Sequence, residues 1–223
     1  MNEEQKLRLD LLGACGYNIE AARKCLEFVK EEENKREQRK IDMPDGIYLI
    51  DEYEAIVSFD GKEKAGIGTI THIAIVQGNR SLAIALHDVS KEETSLTAKE
   101  SKKSHSGKDK YMDAAQDWDG KGNTERLKQI RLNPAIQLKD DEYIPALAEL
   151  YLMCLNQKAI NAAMRFVGGQ ELTGWYWSST ECNETYAWVL YLGDGSTNLD
   201  NKATSTYKVR PVKKFLSSTI ANL

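Results

Sequence analysis

The chain has 223 residues, a formal net charge of −4 and an isoelectric point of about 5.6. Hydrophobic residues make up 41% and charged residues 29%, which is typical of a globular protein with a polar surplus. The acidic balance argues against a phosphate-binding surface, and no apolar run approaches the roughly 18 residues of a transmembrane helix. We therefore predict a protein that does not bind nucleic acid and does not insert into a membrane.

Residues 1–40 are predicted to form a short helical appendage. Apolar residues recur at helical spacing in its second half: Ile19, Ala22, Leu26 and Val29. Residues 30–40 are a nearly pure charge run, which is typical of a solvated helix leading into a linker. A second interpretation is a helical hairpin whose apolar stripe packs on the rest of the chain or on other copies of itself. In that interpretation residues 3–40 drive homo-oligomerisation.

The first residues of the chain also bear on its localisation. They begin with acidic residues instead of a basic segment, and no long apolar core follows. A secretory signal peptide has both of those features. We therefore predict no signal peptide and expect synthesis in the cytoplasm. This expectation includes a protein that becomes part of a virion after synthesis.

Residues 41–90 are predicted to be rich in β-strands. Short runs of β-branched and aromatic residues, each bounded by turn residues, occupy positions 46–50, 55–59, 71–76 and 81–86. They indicate a compact antiparallel β region. The sequence Gly66-Ile67-Gly68 precedes a strand, whereas a nucleotide-binding fingerprint precedes a helix, so we reject a nucleotide site here.

The remaining residues, 91–223, combine helices and strands. The polar segment 90–110 is interpreted as an exposed loop. Helices are predicted over residues 111–130 and 144–167, and strands over 175–178, 186–192 and 206–212. Strand 186–192 is apolar on both sides, so we expect it to be central and covered on both faces. The acidic side chains Asp117, Asp119, Asp140, Asp141, Glu142 and Glu149 are assigned to the solvated side of these elements.

Three motifs stand out in the C-terminal half: Trp175-Tyr176-Trp177-Ser178-Ser179-Thr180-Glu181, Ala187-Trp188 and Val209-Arg210-Pro211-Val212. Together with the order β region, helix, helix, β region, they resemble a bacterial and phage family of C-type-lectin-like domains. That family is similar in fold to the formylglycine-generating enzymes and includes proteins varied by diversity-generating retroelements. The resemblance covers about residues 44–215. It implies an α+β fold with two helices and antiparallel sheets, and a C-type-lectin-like ligand-binding domain over residues 91–223.

Two upstream segments extend the resemblance. Residues 119–124 look like the first-helix motif of the family, and residues 144–150 look like its second-helix motif. One departure is that Ile144-Pro145-Ala146 stands where the family usually has Leu-Pro-Ser. Arg210 has a guanidinium group that can brace several loops at once, and we favour this structural role over ligand contact.

Between the motifs lies a segment, residues 182–207, that is dense in Asn, Asp, Ser, Thr, Tyr and Gly. These residue types suit adaptable recognition of a protein or glycan ligand. They are also the products of randomised adenines in Asn codons, whereas Trp188 and Lys202 cannot arise that way and would be fixed. We predict a solvent-facing ligand-binding surface that contains Cys182, Asn183, Thr185, Tyr191, Asp194, Ser196, Asn198, Asp200, Asn201, Thr204, Ser205 and Tyr207. The alternative is that these are ordinary loop residues.

Catalysis, metal binding and a cofactor are not expected. Residues His72, His87 and His105 lack a nucleophile motif beside them, and the four cysteines lack the spacing of a zinc site. Residues 117–123 contain spaced oxygen ligands but no acid at the twelfth position of a calcium loop. Two alternatives stay open: a structural or assembly subunit of a phage tail or pilus, and a degenerate sulfatase-modifying enzyme. The latter would bring Cys154 and Cys182 close together.

Overall fold

A computed structural model of the chain describes residues 43–62, 67–98 and 107–215. These residues belong to one compact unit that begins at Met43. The helical appendage and the oligomerisation predicted for residues 1–40 lie outside the described residues. Among the helices that are described, none is long and apolar enough to cross a membrane.

The described residues form nine strands and four helices, an α+β architecture. The strands are β1 (Gly46–Asp51), β2 (Ile56–Ser58), β3 (Ile70–Gln77), β4 (Arg80–Ala85), β5 (Glu142–Tyr143), β6 (Trp175–Glu181), β7 (Tyr186–Tyr191), β8 (Thr197–Asn201) and β9 (Val212–Lys213). The helices are α1 (Tyr111–Ala114), α2 (Gly120–Gln129), α3 (Leu147–Leu155) and α4 (Gln157–Val167).

The larger sheet has six strands in the order β2-β1-β3-β4-β9-β5, and every neighbouring pair is antiparallel. The runs predicted within residues 41–90 form β1 to β4. The sheet continues beyond them, because Val212 of β9 pairs with Ile84 of β4 and with Tyr143 of β5. Residues 41–90 are thus part of a sheet that the C-terminal half completes.

The smaller sheet has three antiparallel strands in the order β6-β7-β8. β7 is the central strand, and its residues 187–190 are buried, so the prediction of a central strand covered on both faces is confirmed. β8 was not predicted as a strand. It is rich in Asn and Asp, which have a low preference for β-structure, and its pairing with β7 outweighs that preference.

Both predicted helices are divided in the structure. The first is interrupted at residues 115–119, where the Asp119 carboxylate accepts a hydrogen bond from the backbone N–H of Gly122 and starts α2. The second is interrupted at Asn156, which ends α3 and precedes α4. Its side chain donates to the carbonyl of Leu152 at 2.9 Å. The prediction of two unbroken helices was wrong because local hydrogen bonds compete with the helical pattern.

Two hydrophobic clusters form the core, and β7 lies between them. Trp188 and Leu190 pack into the larger cluster, which also draws on α3, α4 and the six-stranded sheet. Ala187 and Val189, which point to the opposite side of the strand, pack into a smaller cluster with Leu127 of α2. The motif residues therefore serve both clusters, as large buried aromatic side chains do.

Arg210 is buried and braces three segments of the chain. Its Nε donates to the carboxylate of Asp88 at 2.7 Å, and its Nη1 donates to the carbonyls of Ala85 and Gln170 at 3.0 and 3.1 Å. Charge compensation and these hydrogen bonds offset the cost of burying the guanidinium group. The predicted structural role of Arg210 is confirmed.

The assignment of Asp117 and Glu142 to solvent was wrong, because both are buried. Asp117 accepts hydrogen bonds from the side chains of Asn123 and Thr180, at 2.7 and 2.9 Å. Glu142 lies 3.6 Å from the imidazole of His72 and accepts from a backbone N–H. Hydrogen-bond donors from distant parts of the chain offset the cost of burying these two carboxylates. A polar sequence pattern does not reveal such donors.

Glu149 was also placed on a solvated helix face, and it is buried as well. Its Oε2 accepts the N–H of Ala146 at 2.8 Å, and its Oε1 accepts the hydroxyl of Tyr143 at 3.0 Å. At the start of the same helix, the hydroxyl of Thr180 accepts the N–H of Leu147 at 2.9 Å. Thr180 thereby supplies from β6 the hydrogen bond that an alanine before the helix cannot make.

The described part of the polar segment 90–110 is not uniformly exposed. Leu96 and Thr97 are fully buried, and Leu96 belongs to the smaller cluster. The N–H of Thr97 donates to the carbonyl of Lys202 at 3.0 Å, and the N–H of Asn133 donates to the carbonyl of Leu96 at 3.1 Å. The expectation of an exposed loop was wrong at these positions, because backbone pairing holds the segment against the core.

Candidate ligand-binding surface

The predicted contact residues are distributed over the length of the smaller sheet. Asn183 and Thr185 are exposed in the turn between β6 and β7, and Asp194 and Ser196 are exposed in the turn between β7 and β8. A strand rises about 3.3 Å per residue, so the two ends of β7 are about 17 Å apart. The predicted residues therefore do not form one compact site.

Cys182 does not face solvent, so that part of the prediction was wrong. Only 6% of the residue is exposed, and it packs into the larger hydrophobic cluster. Its N–H donates to the carbonyl of Tyr186 at 2.9 Å, which continues the β6–β7 pairing past the end of β6. The pairing orients the side chain inward, and a small thiol is readily accommodated in a core.

One contiguous surface does form on the β8 side of the sheet, and we call it the aromatic face. It consists of Trp175, Tyr191, Asn198, Asp200, Ser205 and Tyr207. Asn198 is exposed and the others are half-buried. All but Trp175 belong to the predicted contact set.

Three rings make up the apolar part of the aromatic face. The centroid of Trp175 lies 5.4 Å from that of Tyr191 and 6.2 Å from that of Tyr207. Trp175 belongs to the first motif of the family resemblance and was not included among the predicted contact residues, so its place beside them was missed. Its position at the start of β6, opposite Tyr191 in the register, is what brings it to this face.

Asp200 organises the polar part of the aromatic face. Its Oδ2 accepts hydrogen bonds from the hydroxyl of Tyr207 at 3.0 Å and from the side-chain amide of Asn198 at 3.1 Å. Its Oδ1 accepts from the hydroxyl of Ser205 at 3.3 Å. The carboxylate thus holds residues of β8 and of the following loop in a shared arrangement.

Tyr207 links the aromatic face to the core beneath it. Its ring meets the buried ring of Trp177 edge-on, with centroids 5.1 Å apart, and its backbone pairs with that of Thr94. The indole N–H of Trp177 donates to the carbonyl of Thr94 at 2.8 Å. Burial, with the carboxylate of Asp200 beside it, raises the pKa of Tyr207, so its hydroxyl stays protonated and donates.

Three other predicted contact residues brace turns. The side-chain oxygen of Asn183 accepts from the N–H groups of Thr185 and Tyr186, at 2.8 and 3.0 Å. In the same way Asp194 accepts from Ser196 at 2.8 Å, and Asn201 accepts from Ala203 at 3.0 Å. Asn and Asp commonly make such turns, so the ordinary-loop interpretation accounts for these three side chains.

A buried ion pair supports the β6–β7 turn. The ammonium group of Lys202 pairs with the carboxylate of Glu181, and both side chains are 1% exposed. Lys202 also donates to the carbonyl of Asn183 at 3.2 Å. Lys202 and Trp188, which were predicted as fixed positions, are both buried, and the indole of Trp188 donates to the carbonyl of Lys108 at 2.9 Å.

The two cysteines of the described residues, Cys154 and Cys182, have thiols of raised pKa. Burial raises the pKa of Cys154 and of Cys182, and Asp194 and Asp109 respectively add to the effect. Both are free thiols in their protonated, weakly nucleophilic form. Within residues 43–62, 67–98 and 107–215, no group of three His, Cys, Asp or Glu side chains could hold a metal ion.

No protein-family model matches the chain, and no curated protein matches it significantly. The function is therefore inferred from the residues and their geometry.

Proposed function

We propose that this chain is a ligand-binding protein with a C-type-lectin-like fold, and that it contacts a protein or glycan ligand through the aromatic face. In its most specific form the proposal is a retroelement-diversified protein with a receptor-binding or display role in a phage or bacterium. The observation that carries it is the contiguity of three aromatic rings with a carboxylate, an amide and a hydroxyl on one accessible face.

The physical chemistry of the aromatic face supports a role in recognition. Tyr and Trp offer large contact areas and lose few rotatable bonds when a ligand orders them. The rings of Trp175, Tyr191 and Tyr207 already contact one another, and Asp200 already orients three polar groups. A surface that is ordered before binding loses less conformational entropy when the ligand arrives.

The separation of roles along residues 175–212 also supports the proposal. Among residues 182–207, three cannot arise from randomised Asn codons: Glu184 is exposed, whereas Trp188 and Lys202 are buried and bonded to distant parts of the chain. In contrast Asn198, Ser196 and Thr204 are exposed. A protein that varies its contacts while keeping its fold needs this division, because core substitutions are costly and surface ones are nearly neutral.

The C-type-lectin-like part of the proposal is supported by the motif residues. Trp177 and Arg210 are fully buried, and together they connect β6 and the segment before β9 to the loop at Asp88 and Thr94. The six- and three-stranded antiparallel sheets with helices packed between them agree with the α+β architecture that the resemblance implies.

The diversification is tested by sequencing many copies of the gene from one population. We expect substitutions to concentrate at exposed positions such as Ser196, Asn198 and Thr204, with Trp177 and Lys202 invariant. A neighbouring reverse-transcriptase gene and a near-repeat of the 3′ end would accompany this pattern. Identical codons at all exposed positions in every copy would refute the diversification.

The contact surface is tested separately on the purified protein. An array of glycans and of displayed surface proteins provides candidate ligands, and binding is then measured for Tyr191→Ser and Asn198→Ala. We expect both substitutions to weaken binding. The matched control is Tyr53→Ser, which removes a tyrosine that is 79% exposed and lies outside the aromatic face. If the control weakens binding as much as the two variants do, the aromatic face is not the contact surface.

A further inference from the structure

A second concave surface lies away from the aromatic face, between the β3–β4 turn, α1 and α3. It encloses about 430 Å³, within the range of sites that take small molecules. Four of its lining residues, Ala148, Tyr151, Leu152 and Leu155, follow one another along α3 at spacings of three, one and three residues. They therefore form a single stripe on that helix. We call this surface the α3 groove.

The α3 groove is apolar and its rim is exposed. Two of its lining residues are large and exposed: Leu155 is 78% exposed and Tyr111 is 45% exposed. Both are among the most exposed large hydrophobic residues of the described chain. Apolar side chains gathered around a concavity are typical of a binding site, whereas isolated exposed ones carry no such meaning.

Arg80 is the one lining residue of the α3 groove that carries a charge at neutral pH. Its guanidinium carbon lies 4.2 Å from the ring centroid of Trp118, stacked on the indole. Among the residues that the structure describes, Arg80 forms no ion pair and its side chain donates no hydrogen bond. The stacking orients the guanidinium and leaves its in-plane N–H groups available to an acceptor.

The remaining polar groups of the α3 groove are neutral. The hydroxyls of Tyr111 and Tyr151 are 2.7 Å apart, and burial together with this contact raises the pKa of Tyr151 to about 12. Gln77 is the other polar lining residue, and it accepts a hydrogen bond from Asn156. The lining therefore combines an apolar wall, one oriented cation and no carboxylate.

We infer that the α3 groove binds a small planar aromatic carboxylate, with its ring on the α3 stripe and its carboxylate at the edge of the Arg80 guanidinium. A carboxylate matches the paired N–H donors of a guanidinium, and a flat ring matches a groove walled by Trp118 and Tyr111. This site is independent of the proposed function, since it shares no residue with the aromatic face.

The test compares two probes that differ only in charge, 2-naphthoate and 2-naphthamide, by isothermal titration calorimetry. We expect the full-length protein to bind 2-naphthoate saturably at one site and to bind 2-naphthamide roughly tenfold more weakly, because one charge-assisted contact is lost. In Arg80→Gln this preference disappears. In Leu155→Asp both probes bind more weakly, since the rim loses apolar contact.

Two controls match these variants in charge and exposure. Lys121→Gln removes a cation from an exposed position on α2, and Tyr53→Asp places an acid at another highly exposed apolar position. Neither residue lines the groove, so both variants are expected to bind the probes as the unchanged protein does. Arg80 and Leu155 are exposed, so their variants should keep the fold, which circular dichroism verifies.

Three results would overturn the inference. The first is no saturable binding of 2-naphthoate to the unchanged protein. The second is a preference for 2-naphthoate that persists in Arg80→Gln. The third is unchanged affinity in Leu155→Asp, which would place the probe elsewhere on the molecule.

Discussion

Replacing Glu149 by Gln should remove a pH dependence of stability that is built into the start of α3. Burial raises the pKa of Glu149 from 4.5 to about 7, and the nearby Asp117 carboxylate adds to the effect. Hydrogen bonds from Ala146 and Tyr143 and the more distant Lys214 act in the opposite direction without cancelling it. The folded protein therefore keeps a proton on Glu149 at pH values where the unfolded chain has lost it.

The direction and size of the effect follow from this difference in proton binding. The stabilisation that protonated Glu149 gives the folded protein is fully present below a pH of about 4.5. It is lost as the pH rises through about 7. A rise in pKa from 4.5 to about 7, at about 1.36 kcal/mol per pH unit, corresponds to about 3 kcal/mol in the free energy of unfolding. For a folded unit of this size that is roughly 6–12 °C in Tm.

The assay is urea denaturation of the unchanged protein and of Glu149→Gln, at about pH 5 and at about pH 8. Gln keeps the shape of the side chain and an acceptor for the N–H of Ala146, but it does not titrate. The difference in unfolding free energy between the two proteins should move by about 2.5 kcal/mol in favour of the variant between pH 5 and pH 8, because part of the effect is already lost at pH 5. Taking the difference between the two proteins cancels the contributions of groups that titrate in both of them. A difference that is the same at both pH values would refute the reasoning.

Three further predictions concern the same framework. Lys202→Met should destabilise the protein by about 3–5 kcal/mol, because it removes the ammonium group that pairs with the buried carboxylate of Glu181. Adding Glu181→Gln should recover part of that loss in urea denaturation. Gly120→Ala should lower the free energy of unfolding by about 1–3 kcal/mol, because the new Cβ would lie 2.2 Å from Oε2 of Glu149 and 2.8 Å from the backbone nitrogen of Ala146. An unchanged Tm would contradict this steric conflict. Added calcium should leave Tm unchanged, and a calcium-dependent rise would show a site that the described residues do not reveal.

Much of the architecture was predictable from local patterns. Short runs of β-branched and aromatic residues in positions 46–86 located β1 to β4, and the two-sided apolar run at 186–192 identified β7 as a central strand. These features depend on backbone preferences and on periodicity, which a sequence displays directly.

The sites of buried charge were not predictable in the same way. Asp117, Glu142 and Glu149 look like ordinary solvated acids, yet all three are buried. Asp117 and Glu142 are buried against Thr180 and His72 from distant segments, and Glu149 is buried against Tyr143 of β5. The donor to Asp117, Thr180, is 63 residues away. Whether a polar side chain is buried depends on such long-range partners. The sequence does not show which of these residues come into contact in the folded chain.

In the aromatic face and the α3 groove, too, the sequence indicates some features and the tertiary structure decides the others. The polar and aromatic composition of residues 182–207 indicated a role in recognition from the sequence alone. It could not distinguish residues that brace turns, such as Asn183, from residues that share a surface, such as Asp200 and Tyr207. Trp175 joins that surface only through the register of β6 with β7. Arg80 meets Trp118 only because the β3–β4 turn packs beside the loop between α1 and α2. Residue type determined what these side chains can bind, and strand pairing and packing decided which of them lie together, because contacts between distant segments arise only in the folded chain.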